Sequence, residues 1–98
     1  MSYRVDIQPP TRQGIAAWGL SDFLIVDVYL RLTGTLSDNP WRVLSPAKEV
    51  GGGMTFNFTI IDPENRFVEH AFYFQVYYGQ DEVTIYVTRG RYVRSVWK

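Results

Sequence analysis

The strongest constraint on the fold lies in the second half of the chain, where three strand patterns follow one another across short turns. Large apolar residues occupy every second position over residues 54–60, which is the period of a strand with one buried face. Residues 67–78 are largely apolar or aromatic on both faces, as in a central strand covered on both sides. After turn residues at 62–66 and 79–81, a further alternating segment follows at 83–88. These segments predict an antiparallel meander.

The first half of the chain predicts one strand and two helices. Residues 3–8 alternate like a half-buried strand, and Pro9-Pro10 ends it because proline has no backbone N–H. A short capped helix is expected over 11–20, and a second one begins at Ser21-Asp22, with apolar residues three and four positions apart up to Leu36. The β-branched residues of this second segment leave a buried strand as the alternative: Ile25, Val26 and Val28.

The segment between the two halves, residues 41–53, predicts a loop. It contains Pro46 and the glycine triplet 51–53, which are unfavourable inside a regular element. A strand pattern follows the glycines, so the phosphate-binding loop that precedes a helix is excluded. The predicted fold class is therefore α+β, with two N-terminal helices packed on a twisted antiparallel sheet in the order β-α-α-β-β-β. Residues 1–98 are expected to form a single domain.

Composition excludes several classes of function. The 98 residues contain no cysteine, so disulfides, thiolate metal sites and cysteine nucleophiles are ruled out. The start of the chain lacks a basic segment followed by an apolar one, and no apolar run approaches membrane-spanning length. We therefore expect a soluble, cytoplasmic protein without membrane contact. One histidine among turn carboxylates makes a poor metal site, and no cofactor is predicted.

The charged residues are distributed unevenly, and this points to a binding segment. Residues 1–88 hold six basic and ten acidic residues, a balance of −4, whereas residues 89–98 hold four basic and no acidic residues, a balance of +4. Guanidinium groups bind phosphate, and aromatic rings stack on unpaired bases. We predict binding of nucleic acid or an acidic partner through this segment: Arg89, Arg91, Arg94, Trp97 and Lys98. The alternative is a solvated tail whose arginines pair with acids of the body.

His70 is the one histidine of the chain. In the predicted strand it shares a face with Val68 and Phe72, which favours a core or rim histidine that has a hydrogen-bond partner. The functional alternative is a general base, because imidazole titrates near neutral pH.

Three segments of the sequence resemble the RelE/ParE superfamily of toxins from bacterial type II toxin–antitoxin modules. YRVDIQPPTRQGIAAWG (residues 3–19) resembles the opening strand and first helix of the family, and LRLTGTLSDNPW (residues 30–41) resembles the end of its second helix. FYFQVYYGQDEVTIYVTRGRYVR (residues 72–94) resembles its closing hairpin. The likeness covers most of the chain and consists of patterns of residue class.

The resemblance implies a toxin-like protein with an antitoxin as its partner. Some members of the superfamily cleave mRNA on the ribosome without metal, and ParE-like members inhibit DNA gyrase through protein contacts. Cleaving members carry several basic residues on the central hairpin, whereas this hairpin offers Arg66 together with three acids: Asp62, Glu64 and Glu69. The leading hypothesis is therefore a toxin that acts by binding. The antitoxin is expected to bind an exposed apolar surface around Phe23, Trp18 and the sheet face. Growth inhibition and plasmid stabilisation are the expected consequences of the toxin's activity.

Two other functions remain open from the sequence. The first is a metal-independent, ribosome-associated mRNA endoribonuclease, in which basic side chains stabilise phosphate charge and a further group moves a proton. Its expected catalytic residues are Arg91, Arg94, Tyr92 and His70, with Arg89 as a further basic residue and Tyr73 as the other candidate proton carrier. The second is a non-toxic interaction module that forms a homodimer through its aromatic sheet.

Overall fold

The computed structural model describes residues 2–46 and 53–97. The elements run in the order β1 (Arg4–Ile7), α1 (Pro9–Ala17), α2 (Asp22–Asp38), a 3₁₀ helix (Pro40–Arg42), β2 (Ser45–Pro46), β3 (Met54–Ile61), β4 (Val68–Tyr78) and β5 (Thr84–Val96). No helix in these two described ranges has the length and apolar character needed to cross a membrane.

The strands form one sheet in the order β1-β5-β4-β3-β2. The predicted meander is present, because β3 pairs antiparallel with β4 and β4 pairs antiparallel with β5. β1 lies beside β5 and runs parallel to it, with Val5 opposite Ile85. The α+β fold class and its element order are thus confirmed, and the sheet is mixed rather than wholly antiparallel.

The core lies between the helices and one face of the sheet. α2 buries residues spaced four apart, Leu24, Val28, Leu32 and Leu36, which is the spacing that places side chains on one helical face. The sheet contributes Phe72, Phe74, Val76, Ile85 and Val87. The Ser21 hydroxyl accepts a hydrogen bond from the Leu24 N–H at 3.4 Å and caps the helix. The helix prediction for this segment is confirmed, because capping and apolar period outweigh the β-branched residues.

The last strand is longer than the sequence predicts. The alternating segment predicted at 83–88 is only the first part of this strand, because β5 continues through Gly90 to Val96. Gly90 faces the helix side of the sheet. A Cβ atom at this position would lie 2.8 Å from the Phe74 ring and 3.1 Å from the Trp18 ring. The glycine therefore serves close packing in a strand interior, as glycine does where another group approaches the backbone. Residues 91–96 consequently belong to the sheet and do not form a tail.

The expected loop at 41–53 begins with ordered structure. It contains the end of the 3₁₀ helix and β2, which pairs with the start of β3, whereas residues 47–52 lie outside the described residues. The Trp41 indole N–H donates a hydrogen bond to the Tyr3 hydroxyl at 3.0 Å. Its ring meets the Tyr78 ring edge to face at 4.9 Å. These contacts attach the start of the segment to the first strand and to the end of β4.

Candidate functional site

The sheet face that carries no helix presents polar and cationic side chains. We call it the open sheet face and define it by Asn57 of β3, Tyr73 and Gln75 of β4, and Arg89 and Arg91 of β5. The strand register sets Arg91 opposite Tyr73, Arg89 opposite Gln75, and Asn57 opposite Tyr73 on the other side. Opposed residues of paired strands point to the same face and lie close together, so these five side chains form one surface.

The two arginines of the open sheet face are available to an anion. The Arg91 guanidinium carbon lies 4.7 Å from the centroid of the Tyr73 ring, a stacking that leaves the N–H donors of the guanidinium at its edges. Within the described part of the chain, neither Arg89 nor Arg91 forms a salt bridge, and the Gln75 amide donates to the Tyr77 hydroxyl at 3.0 Å. The face therefore offers two cations that have no acidic partner in the ranges 2–46 and 53–97.

The predicted site residue Trp97 lies at the far end of this face. Its indole N–H donates to a carboxylate oxygen of Glu69 at 3.1 Å, and its backbone N–H donates to the Phe67 carbonyl at 2.7 Å. It lies six positions beyond Arg91 along the chain, a distance of roughly 20 Å. Trp97 thus belongs to a separate corner of the surface, and Glu69 accompanies it there.

A second polar arrangement lies on the helix side of the sheet. We call it the His70 network, consisting of Asp62, His70 and Tyr92. The Nδ1 atom of His70 lies 2.6 Å from the Tyr92 hydroxyl oxygen, and Nε2 lies 2.8 Å from a carboxylate oxygen of Asp62. All three groups are satisfied when the Tyr92 hydroxyl donates to Nδ1 and the Nε2–H donates to Asp62. Only 5% of His70 is exposed, in agreement with a core or rim histidine that has partners.

Hydrogen bonding lowers one pKa in the network, and burial raises another. Hydrogen bonding from His70, and then from the Glu64 backbone N–H, lowers the pKa of Asp62. Burial raises the pKa of Tyr92, the negative charge of Asp62 adds to this, and the positive charge of Arg94 partly opposes it. Arg94 is the cross-strand neighbour of His70. The Tyr92 hydroxyl therefore stays protonated at neutral pH and remains a donor.

The structure separates the residues that the sequence grouped together. Arg89 and Arg91 lie on the open sheet face, whereas Tyr92, Arg94 and His70 lie on the helix side, because successive residues of a strand point to opposite faces. Of the four expected catalytic residues, Arg91 is thus apart from the other three. Lys98 lies outside the described residues.

The sequence analysis missed partners on both faces. It did not identify Asn57 or Gln75 as members of the face that carries the two arginines, and it did not connect Asp62 with His70. The register of β3, β4 and β5 brings these residues together. Alternation along β5 alone would have placed Arg89 and Arg91 on the same face as the buried Ile85 and Val87, because the register shift between Gln75 and Val76 changes which residues share a face.

The expected antitoxin surface is also divided. Trp18 is half-buried and stacks on Tyr92 with ring centroids 5.6 Å apart, and Phe23 lies on the exposed side of α2. Both therefore lie on the helix side, opposite the open sheet face. Over residues 2–46 and 53–97, no group of three or more histidine, aspartate or glutamate side chains is placed to hold a metal ion.

Comparison with known proteins identifies the fold. No protein-family model matches the chain, and no curated protein matches it in sequence. Among solved structures, the toxin–antitoxin complex RelBE2 from Mycobacterium tuberculosis contains a similar chain, with a TM-score of 0.64 and 18% sequence identity. The alignment covers 95% of this chain and 93% of that chain. The protein thus shares the fold of that chain.

Proposed function

We propose that the protein is the cytoplasmic, toxin-like component of a bacterial type II toxin–antitoxin module and that it acts by binding a macromolecular target. The observation that carries this proposal is the pair Arg89 and Arg91 on the open sheet face, with no acidic partner among the described residues and with Tyr73 beneath one of them. The RelE-like fold supports it.

The open sheet face has the chemistry needed to hold an acidic target. Each guanidinium offers a planar fork of donors to a phosphate or carboxylate, and Tyr73 adds an aromatic surface. Gln75 lies opposite Arg89, and Asn57 lies on the other side of Tyr73 from Arg91. Their amide groups can both donate and accept hydrogen bonds. The target is of the ribosome or gyrase type. An antitoxin that covers the same face would neutralise the toxin by competition.

Binding is favoured over cleavage by the separation of the polar groups. Phosphodiester cleavage needs a proton carrier and cations around the same phosphate. The cations of the open sheet face lie on the opposite side of the sheet from His70. Binding requires no such assembly, and two unpaired arginines beside an aromatic ring are sufficient for it.

Expression in a bacterial host tests the proposal. The wild-type protein should slow growth, and Arg89→Ala combined with Arg91→Ala should abolish this effect while the melting temperature stays unchanged, because both side chains are exposed. A matched control is Arg4→Ala combined with Arg66→Ala, since Arg66 is also exposed and also stacks on an aromatic ring, that of Phe67 at 4.9 Å. The control should remain as inhibitory as the wild type.

Capture of partners from the native host completes the test. A tagged wild-type protein should retain the target when the antitoxin is absent, and the double variant should lose it. If the double variant inhibits growth as strongly as the wild type, the open sheet face does not bind the target. A wild type that neither slows growth nor retains a partner would instead favour the non-toxic interaction module.

A second candidate function, the metal-independent endoribonuclease, is favoured by one observation. The His70 network and its neighbour Arg94 join a proton-carrying group to a cation on the helix side of the sheet. In such a reaction the 2′-oxygen loses its proton, attacks the adjacent phosphorus and expels the 5′-oxygen, which takes up a proton. Incubation with ribosomes and mRNA tests this function. Cleavage that Arg94→Ala abolishes and Arg91→Ala leaves unchanged would establish it, and intact mRNA with the wild type would exclude it.

A further inference from the structure

The outer side of α2 carries an apolar stripe on which none of the residues described by the structure packs closely. Phe23 is 62% exposed, Val26 57% and Leu30 65%. Their spacing of three and four residues places them on one side of the helix, away from the buried row. Single exposed apolar residues are ordinary on protein surfaces, whereas a continuous row of them marks a contact surface.

A groove continues this stripe toward the end of the helix. It measures about 590 Å³ and is lined by Leu30, Gly34 and Val43, with Arg31 and Arg42 among its other residues. Gly34 forms part of its floor, and a Cβ atom built there would meet nothing within 4 Å. The stripe thus provides a protruding ring at Phe23, and the groove provides an empty space at Gly34.

The ring and the groove are matched for antiparallel pairing of two copies of α2. Consecutive helical residues are rotated by about 100°, so Phe23, Leu30 and Gly34 point within about 40° of one another. When two such helices run antiparallel and are centred near residue 29, Phe23 of one copy is level with Gly34 and Thr35 of the other. A two-fold axis repeats the contact, so each ring enters the groove of the other copy.

The charges beside the stripe are complementary to themselves in this same arrangement. Arg31 bonds Asp27 within the helix at 3.1 Å, and the two side chains are 44% and 28% exposed. Both lie on one flank of the stripe. In the antiparallel pair, Asp27 of one copy is level with Arg31 of the other on that same flank. Antiparallel pairing therefore sets opposite charges against each other twice.

We propose that the outer side of α2 is a dimer interface with a second copy of this chain, with Phe23 of each copy seated in the Gly34 groove of the other. This inference is independent of the proposed function. The interface lies on the helix side of the molecule and leaves the open sheet face of both copies uncovered.

Sedimentation equilibrium of the full chain tests the proposal. The wild type should approach twice the chain mass of 11.4 kDa as concentration rises. Gly34→Arg fills the groove at a position with room for a side chain, and Leu30→Asp places an unpaired charge in the contact. Each should weaken the dimer at least about tenfold, which corresponds to 1.4 kcal/mol. Gln13→Arg adds the same side chain on the exposed side of α1 and should leave the dimer unchanged.

Exchange of Asp27 and Arg31 tests whether the two copies of α2 pair antiparallel. Asp27→Arg brings four positive charges to the flank of the dimer and should weaken it at low salt. The double variant Asp27→Arg with Arg31→Asp restores opposite charges across the axis and should recover it. A monomer at all concentrations would overturn the proposal, as would a dimer that Gly34→Arg and Leu30→Asp leave intact. If the apolar stripe is covered only when an antitoxin co-purifies with the protein, the stripe is an antitoxin-binding surface and not a dimer interface.

Discussion

At the residue scale, the His70 network connects two parts of the chain that sequence distance keeps apart. Asp62 begins the turn after β3, and Tyr92 lies in the second half of β5. His70 sits between them on β4 and contacts both. A buried imidazole needs partners for both ring nitrogens, because an unsatisfied polar atom loses its hydration without compensation. The network therefore fixes the turn and the last strand relative to the middle strand.

Removal of the Tyr92 hydroxyl should measure this contribution. We expect Tyr92→Phe to lower the free energy of unfolding by about 1–3 kcal/mol, because it leaves Nδ1 of the buried His70 without its partner. Urea unfolding measures the change. Tyr86→Phe is the matched control, since the described part of the chain gives the Tyr86 hydroxyl no hydrogen bond, and it should stay within about 0.5 kcal/mol of the wild type. Equal losses in both variants would contradict a specific role for the hydroxyl.

The lowered pKa of Asp62 predicts how stability depends on pH. A carboxyl whose pKa falls on folding stabilises the folded state above its unfolded pKa, and this contribution disappears as pH falls through the folded pKa. The ordinary value is 3.8. The wild type should therefore have a higher melting temperature than Asp62→Asn at pH 5 to 7, and the gap should close below about pH 4. Thermal unfolding from pH 2 to 7 measures it, and a gap that stays constant over this range would show that ionisation of Asp62 has no effect.

At the element scale, Gly90 in β5 and Gly34 in α2 have different surroundings, and substitution of each by alanine should reveal the difference. Gly90→Ala should cost about 1–3 kcal/mol, because its Cβ would lie 2.8 Å from the ring of the buried Phe74. Gly34→Ala has open space and should stabilise the monomer by about 0.4–1 kcal/mol through a less flexible unfolded chain. Urea unfolding at low protein concentration measures both. A destabilised Gly34→Ala would show that the groove is not empty.

Most elements could be predicted from the sequence because their signals are local. The alternation of β3 and the apolar period of α2 follow from residue type and spacing alone, and both elements occur where they were predicted. The continuation of β5 through Gly90 could not be predicted from the local sequence. Glycine is typical of a turn, and its reason for being inside this strand is an aromatic ring that packs on it. That ring belongs to Phe74, on a neighbouring strand.

The candidate site was predicted only in part, because its arginines lie on β5, the strand whose full length the sequence did not reveal. The sequence identified the cations Arg89, Arg91 and Arg94 and their anion-binding chemistry. Their division between two faces follows from pairing with β4, and the register shifts between Gln75 and Val76. Such a bulge changes which residues share a face, and nothing in the local sequence of β5 specifies it. The partners Asn57 and Tyr73 come from other strands and required the sheet order.

At the scale of the whole molecule, the beginning and the end of the chain are joined. β1 pairs with β5, and the Val87 carbonyl accepts hydrogen bonds from the Gln8 backbone N–H at 2.9 Å and from the Thr11 hydroxyl at 3.0 Å. Thr11 is fully buried at the start of α1. The first strand and first helix therefore fold only together with the last strand, and we expect the molecule to unfold in one cooperative transition.

Thr11→Val tests this coupling at one atom. The substitution keeps the branched shape and removes the hydroxyl, and the Val87 carbonyl retains its bond from Gln8. The loss should therefore be near that of one ordinary hydrogen bond, about 0.5–1.5 kcal/mol. The contact joins both ends of the chain. The midpoint of unfolding should therefore move to a lower denaturant concentration by the same amount, whether it is followed by tryptophan fluorescence or by far-ultraviolet circular dichroism. A shift seen by one probe alone would show that the first strand and helix separate before the sheet unfolds.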